Sequence, residues 1–107
     1  NNNIIKFKRC YVLSDFKNNQ VRGQHAHRKL YQLVFPLNGS FSVNLYDGFN
    51  EKVVNLSDGS ALVIVPGIWR ELSNYSDNLF VVVLASDKYD VDDYIYSKCD
   101  FDTYKRI

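Results

Sequence analysis

Apolar and polar residues alternate along most of this chain, and turn formers break the alternation at short intervals. The stretch "IIKFKRCYVLS" (4–14) alternates for part of its length, and "DFKNNQVRG" (15–23) follows it with turn chemistry. In "SFSVNLYDG" (40–48) the alternation is complete: Phe41, Val43 and Leu45 share one face, Ser40, Ser42 and Asn44 the other. Further strands are predicted at "LYQLVFPL" (30–37), "EKVVNL" (51–56), "ALVIV" (61–65), "IWRELS" (68–73) and "LFVVVLA" (79–85). Asn38-Gly39 predicts a tight hairpin. Ser57–Ser60, Pro66-Gly67 and Asn74–Asn78 supply the other turns. Short strands at such spacing build an all-β sandwich or barrel. Only "DVDDYIYSKCDFDTYKRI" (90–107) differs: acidic residues precede Tyr94 and Ile95, and a short C-terminal helix or tail is expected there.

Length and charge narrow the function classes. A chain of 107 residues is expected to form one domain, 1–107, with a single core small enough that self-association adds usefully to stability. Lys and Arg number 13 against 12 Asp and Glu, with no block of like charge. Attraction to nucleic acid or to an anionic membrane is therefore not indicated. The longest apolar run is too short to span a bilayer and no leader pattern opens the chain, so a cytoplasmic protein is expected. Cys10 and Cys99 have neither metal nor redox spacing and read as free thiols. The chain opens on Asn1–Asn3 without an initiator Met, which fits a piece of something longer.

Chemistry concentrates in "RGQHAHRKLYQ" (22–32). His25 and His27 sit on alternate positions of a predicted strand, so both imidazoles project to one face, just after a glycine, Gly23, that lets the backbone bend. The bland reading is a pair of exposed or hydrogen-bonded strand residues. The spacing resembles the opening of the cupins, small jelly-roll β-barrels in which HxH is followed by a glutamate, a glycine and, later, a further histidine, the four side chains holding a divalent ion. Here Gln32 stands in place of the glutamate and Gly39 fits the glycine. Gly59, Pro66 and Gly67 fit the second half, and Arg70 stands in place of the last histidine. An amide and a permanent cation thus replace two ligands, and an arginine only donates and repels a divalent ion. No metal or other cofactor is expected. The remaining set, two titratable imidazoles beside a fixed positive charge, suits acid–base work on an oxygen-rich or phosphorylated ligand.

The blocks "FKRCYVLSD", "RGQHAHRKL", "VPGIWREL" and "VVLASDKYDVDDYI" together resemble the sugar-nucleotide 3,4-ketoisomerases, metal-free cupins that act on dTDP-4-oxo-6-deoxyglucose in deoxyamino-sugar biosynthesis. The resemblance covers nearly the whole chain. It implies a homodimer of jelly-roll subunits, each taking the nucleotide sugar into its barrel mouth. It also implies that His25 and His27 act as acid and base; His25 is taken as principal base and His27 as relaying or donating protons between the two oxygens, the reverse assignment being equally open to the sequence. Tyr11 and Arg22 match pocket-lining positions, while Trp69 and Arg70 match the segment across from the histidines, Arg70 being suited to hold an enediolate oxygen. For each of these the packing alternative is plain: a core ring for Tyr11, a surface cation for Arg22, filler for Trp69, a cation paired with Glu71 or Asp77 for Arg70. Members of the family carry an earlier strand-forming segment ahead of the strand that opens this chain. Without it, sheet edges would remain for a strand-exchanging dimer to cover. A reading from another class is a non-catalytic cupin module that binds a sugar or sugar nucleotide.

Overall fold

Alternation becomes nine strands in the computed structural model, which describes residues 4–106; Asn1–Asn3 and Ile107, the ends of the expected 1–107 domain, lie outside the described residues. The strands are β1 (Arg9–Leu13), β2 (Arg22–His27), β3 (Gln32–Leu37), β4 (Phe41–Tyr46), β5 (Glu51–Leu56), β6 (Leu62–Ile64), β7 (Trp69–Ser73), β8 (Phe80–Ala85) and β9 (Tyr94–Ile95). One sheet has the order β1-β8-β3-β6, the other β5-β4-β7-β2-β9, with antiparallel neighbours throughout. Val34, Ile64, Val81 and Val83 of the first sheet meet Phe41, Val43, Leu56 and Leu72 of the second in one buried cluster. This is the expected all-β jelly roll of cupin type, and a short helix, α1 (Lys98–Lys105), follows it.

Two elements depart from expectation. Asn38-Gly39 is no hairpin: β3 lies in one sheet and β4 in the other, so the chain changes sheets at this corner. Asn38 is left-handed at φ 61°, but Gly39 at φ 154° lies far from the second position of a type I′ turn. The corner is held from outside, by Ser76 Oγ accepting from Ser40 N at 2.9 Å and Asn38 Nδ2 donating to Asn78 O at 3.0 Å. Tyr94 and Ile95 form no helix either. They pair with His27 and Ala26 as β9, after a 3₁₀ turn over Val91–Asp93, and the helix begins later, where Ser97 caps it by accepting from Asp100 N.

The feature that positions the site is a bulge in β2. Arg22 lies opposite Leu72 and His25 opposite Arg70, so three steps along β2 match two along β7. Directly opposed residues share a face. Without the extra residue, Arg22, Gln24 and Ala26 would point inward; with it, His25 and His27 do, and Gln24 is exposed. Gly23 carries the bulge at φ 69°. A Cβ there would lie 3.3 Å from Leu72 Cγ. Gly23→Ala is expected to cost about 1–2 kcal/mol for the left-handed backbone alone. The unfolding midpoint, followed by circular dichroism, should fall by roughly 4–8 °C per kcal/mol; an unchanged midpoint would remove the bulge from its place in the fold.

Candidate active site

His25, His27, Arg70, Gln32 and Tyr11 meet at one end of the sandwich, across both sheets. Gln32, the first residue of β3, is 1 % exposed and ties the sheets together. Its Oε1 accepts from Arg70 Nη1 at 2.5 Å and its Nε2 donates to Tyr11 OH at 3.1 Å. Arg70 is 3 % exposed, and no carboxylate of the described residues, Glu71 and Asp77 included, lies within ion-pair distance of it. Burial lowers its pKa to about 10, which leaves it a cation at neutral pH. A glutamate at position 32 would have cancelled that charge; the amide solvates it and preserves it.

The two imidazoles stand edge to face at 4.8 Å. His27 is fully buried, and its Nδ1 lies 3.0 Å from Asp93 Oδ2. A carboxylate only accepts, so Nδ1 carries the proton and Nε2 presents a lone pair. Asp93 is itself fixed by the backbone, its Oδ1 accepting from Lys29 N at 2.7 Å and its carbonyl from Arg28 N at 3.0 Å. Burial first, then Arg70 and the neighbouring imidazole, lower His25 to about 3. His27 falls to about 3 by burial, Arg70 and Arg9. Asp93 favours the protonated ring, but burial beside two guanidiniums outweighs one hydrogen-bonded carboxylate, and both rings rest neutral. Tyr94 closes the wall, 4.3 Å from the His27 ring and 5.2 Å from that of His25, and it stacks on Tyr96 at 5.1 Å.

Unsatisfied polar atoms gather here. Nε2 of both histidines, Nε of Arg70, and Nε and Nη2 of Arg9 are buried without a hydrogen-bond partner. Each such atom costs on the order of 1–3 kcal/mol unless a ligand or water supplies the missing bond. A group of donors and acceptors left open inside a fold is what a polar ligand requires. Among the described residues no three His, Cys, Asp or Glu side chains form a metal-ligand cluster.

Of the expected pocket residues, Tyr11 and Arg70 join the histidines and two others do not. Trp69 precedes Arg70 on β7 and faces the opposite side of the sheet. It packs with Ala26, Ile95 and Phe101 beneath α1, and its Nε1 donates to Glu71 Oε2 at 3.0 Å. Arg22 donates from Nη1 to Ser14 O at 2.7 Å and covers the Phe16 ring at 4.6 Å, beside Tyr75, whose OH accepts from Arg22 N. Asp93, Tyr94 and Arg9 were not singled out from the sequence. The acidic run ahead of Tyr94 and the alternation of Arg9, Tyr11 and Leu13 on β1 were the available signals.

A family model described as "FdtA: WxcM-like, C-terminal" matches residues 2–106. The TDP-4-oxo-6-deoxy-alpha-D-glucose-3,4-oxoisomerase of Aneurinibacillus thermoaerophilus is 41% identical over 106 residues, spanning 97% of this chain and 76% of its own. Among solved structures, a 3,4-ketoisomerase from Helicobacter canadensis matches with a TM-score of 0.92 at 35% identity, over 96% of this chain and 78% of that one. A mutant of the 3,4-ketoisomerase QdtA from Thermoanaerobacterium thermosaccharolyticum, in complex with TDP-4-keto-6-deoxyglucose, matches with a TM-score of 0.89 at 34% identity, over 94% of this chain and 73% of that one.

The neutral histidines make stability depend on pH. Their folded values of about 3 lie below the ordinary 6.5, so between these limits the unfolded chain binds protons that the native one refuses. Stability is complete above the unfolded value and falls as pH drops, by up to about 1.4 kcal/mol per pH unit for each ring. Urea unfolding at pH 7 and pH 5 should show this loss, and a His25→Asn/His27→Asn variant should lose much less; equal losses in the two proteins would contradict the burial of neutral rings.

Proposed function

The chain belongs to the FdtA (WxcM-like, C-terminal) family, and from that membership and the pocket we propose that it is a sugar-nucleotide 3,4-ketoisomerase acting on TDP-4-oxo-6-deoxyglucose. It is an isomerase that moves a carbonyl from C4 to C3 with no net oxidation. The observation that carries this reading is the pair of neutral imidazoles, each with an open Nε2, beside an arginine that no carboxylate neutralises.

The chemistry follows from those groups. The C4 ketone acidifies the C3 proton; the base removes it, and the electron pair forms the C3–C4 double bond while O4 becomes an oxyanion. A proton passes from O3 to O4, C4 then takes up a proton, and the carbonyl forms at C3. We assign His25, the more accessible ring, as base toward C3. His27 carries the proton between the oxygens, because Asp93 fixes its tautomer and steadies the imidazolium it becomes. Arg70 stabilises the oxyanion in a site dry enough for that charge to count. Tyr11 orients Gln32, and through it Arg70. Trp69 and Arg22 serve at one remove, Trp69 by seating α1 behind β2, and Arg22 by holding the strand that enters the bulge. Both cysteines are exposed free thiols, which supports a reducing, cytoplasmic setting; no helix of the described residues is long and apolar enough to cross a membrane.

The reading extends to a homodimer. The outer face of the β1-β8-β3-β6 sheet carries Cys10 and Val12, Phe80, Val82 and Leu84, Leu33, Phe35 and Leu37, and Val63, an apolar layer where antiparallel sheets ordinarily turn polar side chains to water. A second copy of the chain would cover it.

Incubation with TDP-4-oxo-6-deoxyglucose in deuterated buffer, followed by NMR, should wash out the C3 proton. His25→Asn should abolish the exchange while TDP still binds, and Asp93→Asn should slow it by about tenfold or more. Binding without exchange by the unmodified protein would instead favour a non-catalytic sugar-nucleotide module. In sedimentation at micromolar concentration the protein should run as a dimer and Phe35→Lys as a monomer; monomers alone for the unmodified chain would dismiss the dimer.

A further inference from the structure

The proposed reaction places negative charge on O4 first and on O3 afterwards, yet Arg70 is only one buried guanidinium. Arg9 offers a second. It lies on the inner face of β1, two positions before Tyr11, and its plane is held over the Tyr11 ring at 5.1 Å and the Tyr89 ring at 5.9 Å. Its Nε and Nη2, the two parallel donors of one guanidinium edge, are buried with no protein partner. Asp87, Asp90 and Asp93 border the same cavity of about 160 Å³, but no carboxylate of the described residues lies within ion-pair distance of Arg9. Asp93 and Tyr94 line that cavity with Arg9 and also touch His27, and the charge of Arg9 acts on the His27 ring, so Arg9 is the guanidinium that neighbours His27 from β1. A forked donor pair matches one oxyanion, or two adjacent oxygens, better than a point charge does.

We propose that Arg9 is a second oxyanion-binding residue, whose Nε–Nη2 edge receives the substrate oxygen on the His27 side while Arg70 serves the other. This deepens the ketoisomerase reading and rests on it. Removal of the C3 proton leaves the charge on O4 at one guanidinium. Transfer of the O3 proton to O4 leaves it on O3 at the other, and C4 protonation closes the carbonyl at C3. Each half of the reaction then has its own cation, and neither arginine moves.

Arg9→Lys keeps the charge and loses the fork, while Arg9→Gly opens space for a free guanidinium ion. At saturating TDP-4-oxo-6-deoxyglucose, kcat of Arg9→Lys should fall about a hundredfold. KM and the Kd for TDP alone should stay within about twofold of the unmodified protein. Guanidinium chloride at millimolar concentration should restore part of the rate to Arg9→Gly, which a purely structural arginine would not allow. Melting curves establish that each variant is folded, and Arg9→Lys carries the test if Arg9→Gly is not. An unchanged kcat in Arg9→Lys overturns the proposal, as does weaker TDP binding at full kcat, which would place Arg9 on the diphosphate. Absence of C3 exchange in the unmodified protein is a separate result, removing the ketoisomerase reading and the role of Arg9 with it.

Discussion

One extra residue in β2 decides which side of a sheet two histidines face. Side chains alternate along a strand with a period of two, so the bulge between Arg22 and His25 inverts the facing of everything after it. His25 then stands opposite Arg70, and His27 opposite Tyr94. Ala26 is turned out at the same stroke, where Trp69, Ile95 and Phe101 bury it. The face that carries both imidazoles and the seat of the helix are therefore set together, and Gly23, at a φ that side chains with a Cβ adopt at a cost, is the residue on which both depend.

The electrostatics of the pocket follow from a second choice, an amide at position 32. Gln32 accepts from Arg70 and donates to Tyr11, satisfying the guanidinium without removing its charge. An uncompensated cation in a buried site acts on its surroundings in two ways. It adds to burial, the larger cause, in holding the nearby imidazoles in their neutral, proton-accepting form, and it prepares a field for the negative charge that forms when they take a proton. Asp93 works against the first effect on His27 alone. The two rings thereby differ in hydrogen bonding while sharing one environment: Asp93 fixes the tautomer of His27.

The strands were legible because alternation reports burial directly, and Phe41, Val43 and Leu45 fall on the inner face as their spacing says. The shared face of His25 and His27 was legible for the same reason, and Gly23 marked the bend. What alternation cannot report is which sheet a strand joins. Asn38-Gly39 carries local hairpin chemistry, yet the partners of β3 and β4 are chosen by the apolar faces they bury far along the chain, and the corner serves that choice. Trp69 was misplaced by one step of the same alternation: its neighbour Arg70 faces the pocket, so Trp69 must face away. Asp93 lay hidden because 66 residues separate it from His27, and no local pattern distinguishes it from the other acids of its run.

Stability and chemistry occupy opposite ends of the sandwich. Val34, Phe41, Val43, Leu56, Leu72, Tyr75 and Leu79 fill one end with apolar side chains. The other end holds the unsatisfied atoms of both histidines and both arginines. Burying those groups unpaired is a net cost to the fold, and a small domain has little margin to offset it. The apolar outer face of the four-stranded sheet is where additional burial is available, so covering it by a second copy would supply stability that the polar end withdraws. Such a dimer would link association to the pocket through the free energy of the domain, even though the face it would cover lies on the far side of the strands whose inner face carries Arg9, Tyr11 and Gln32.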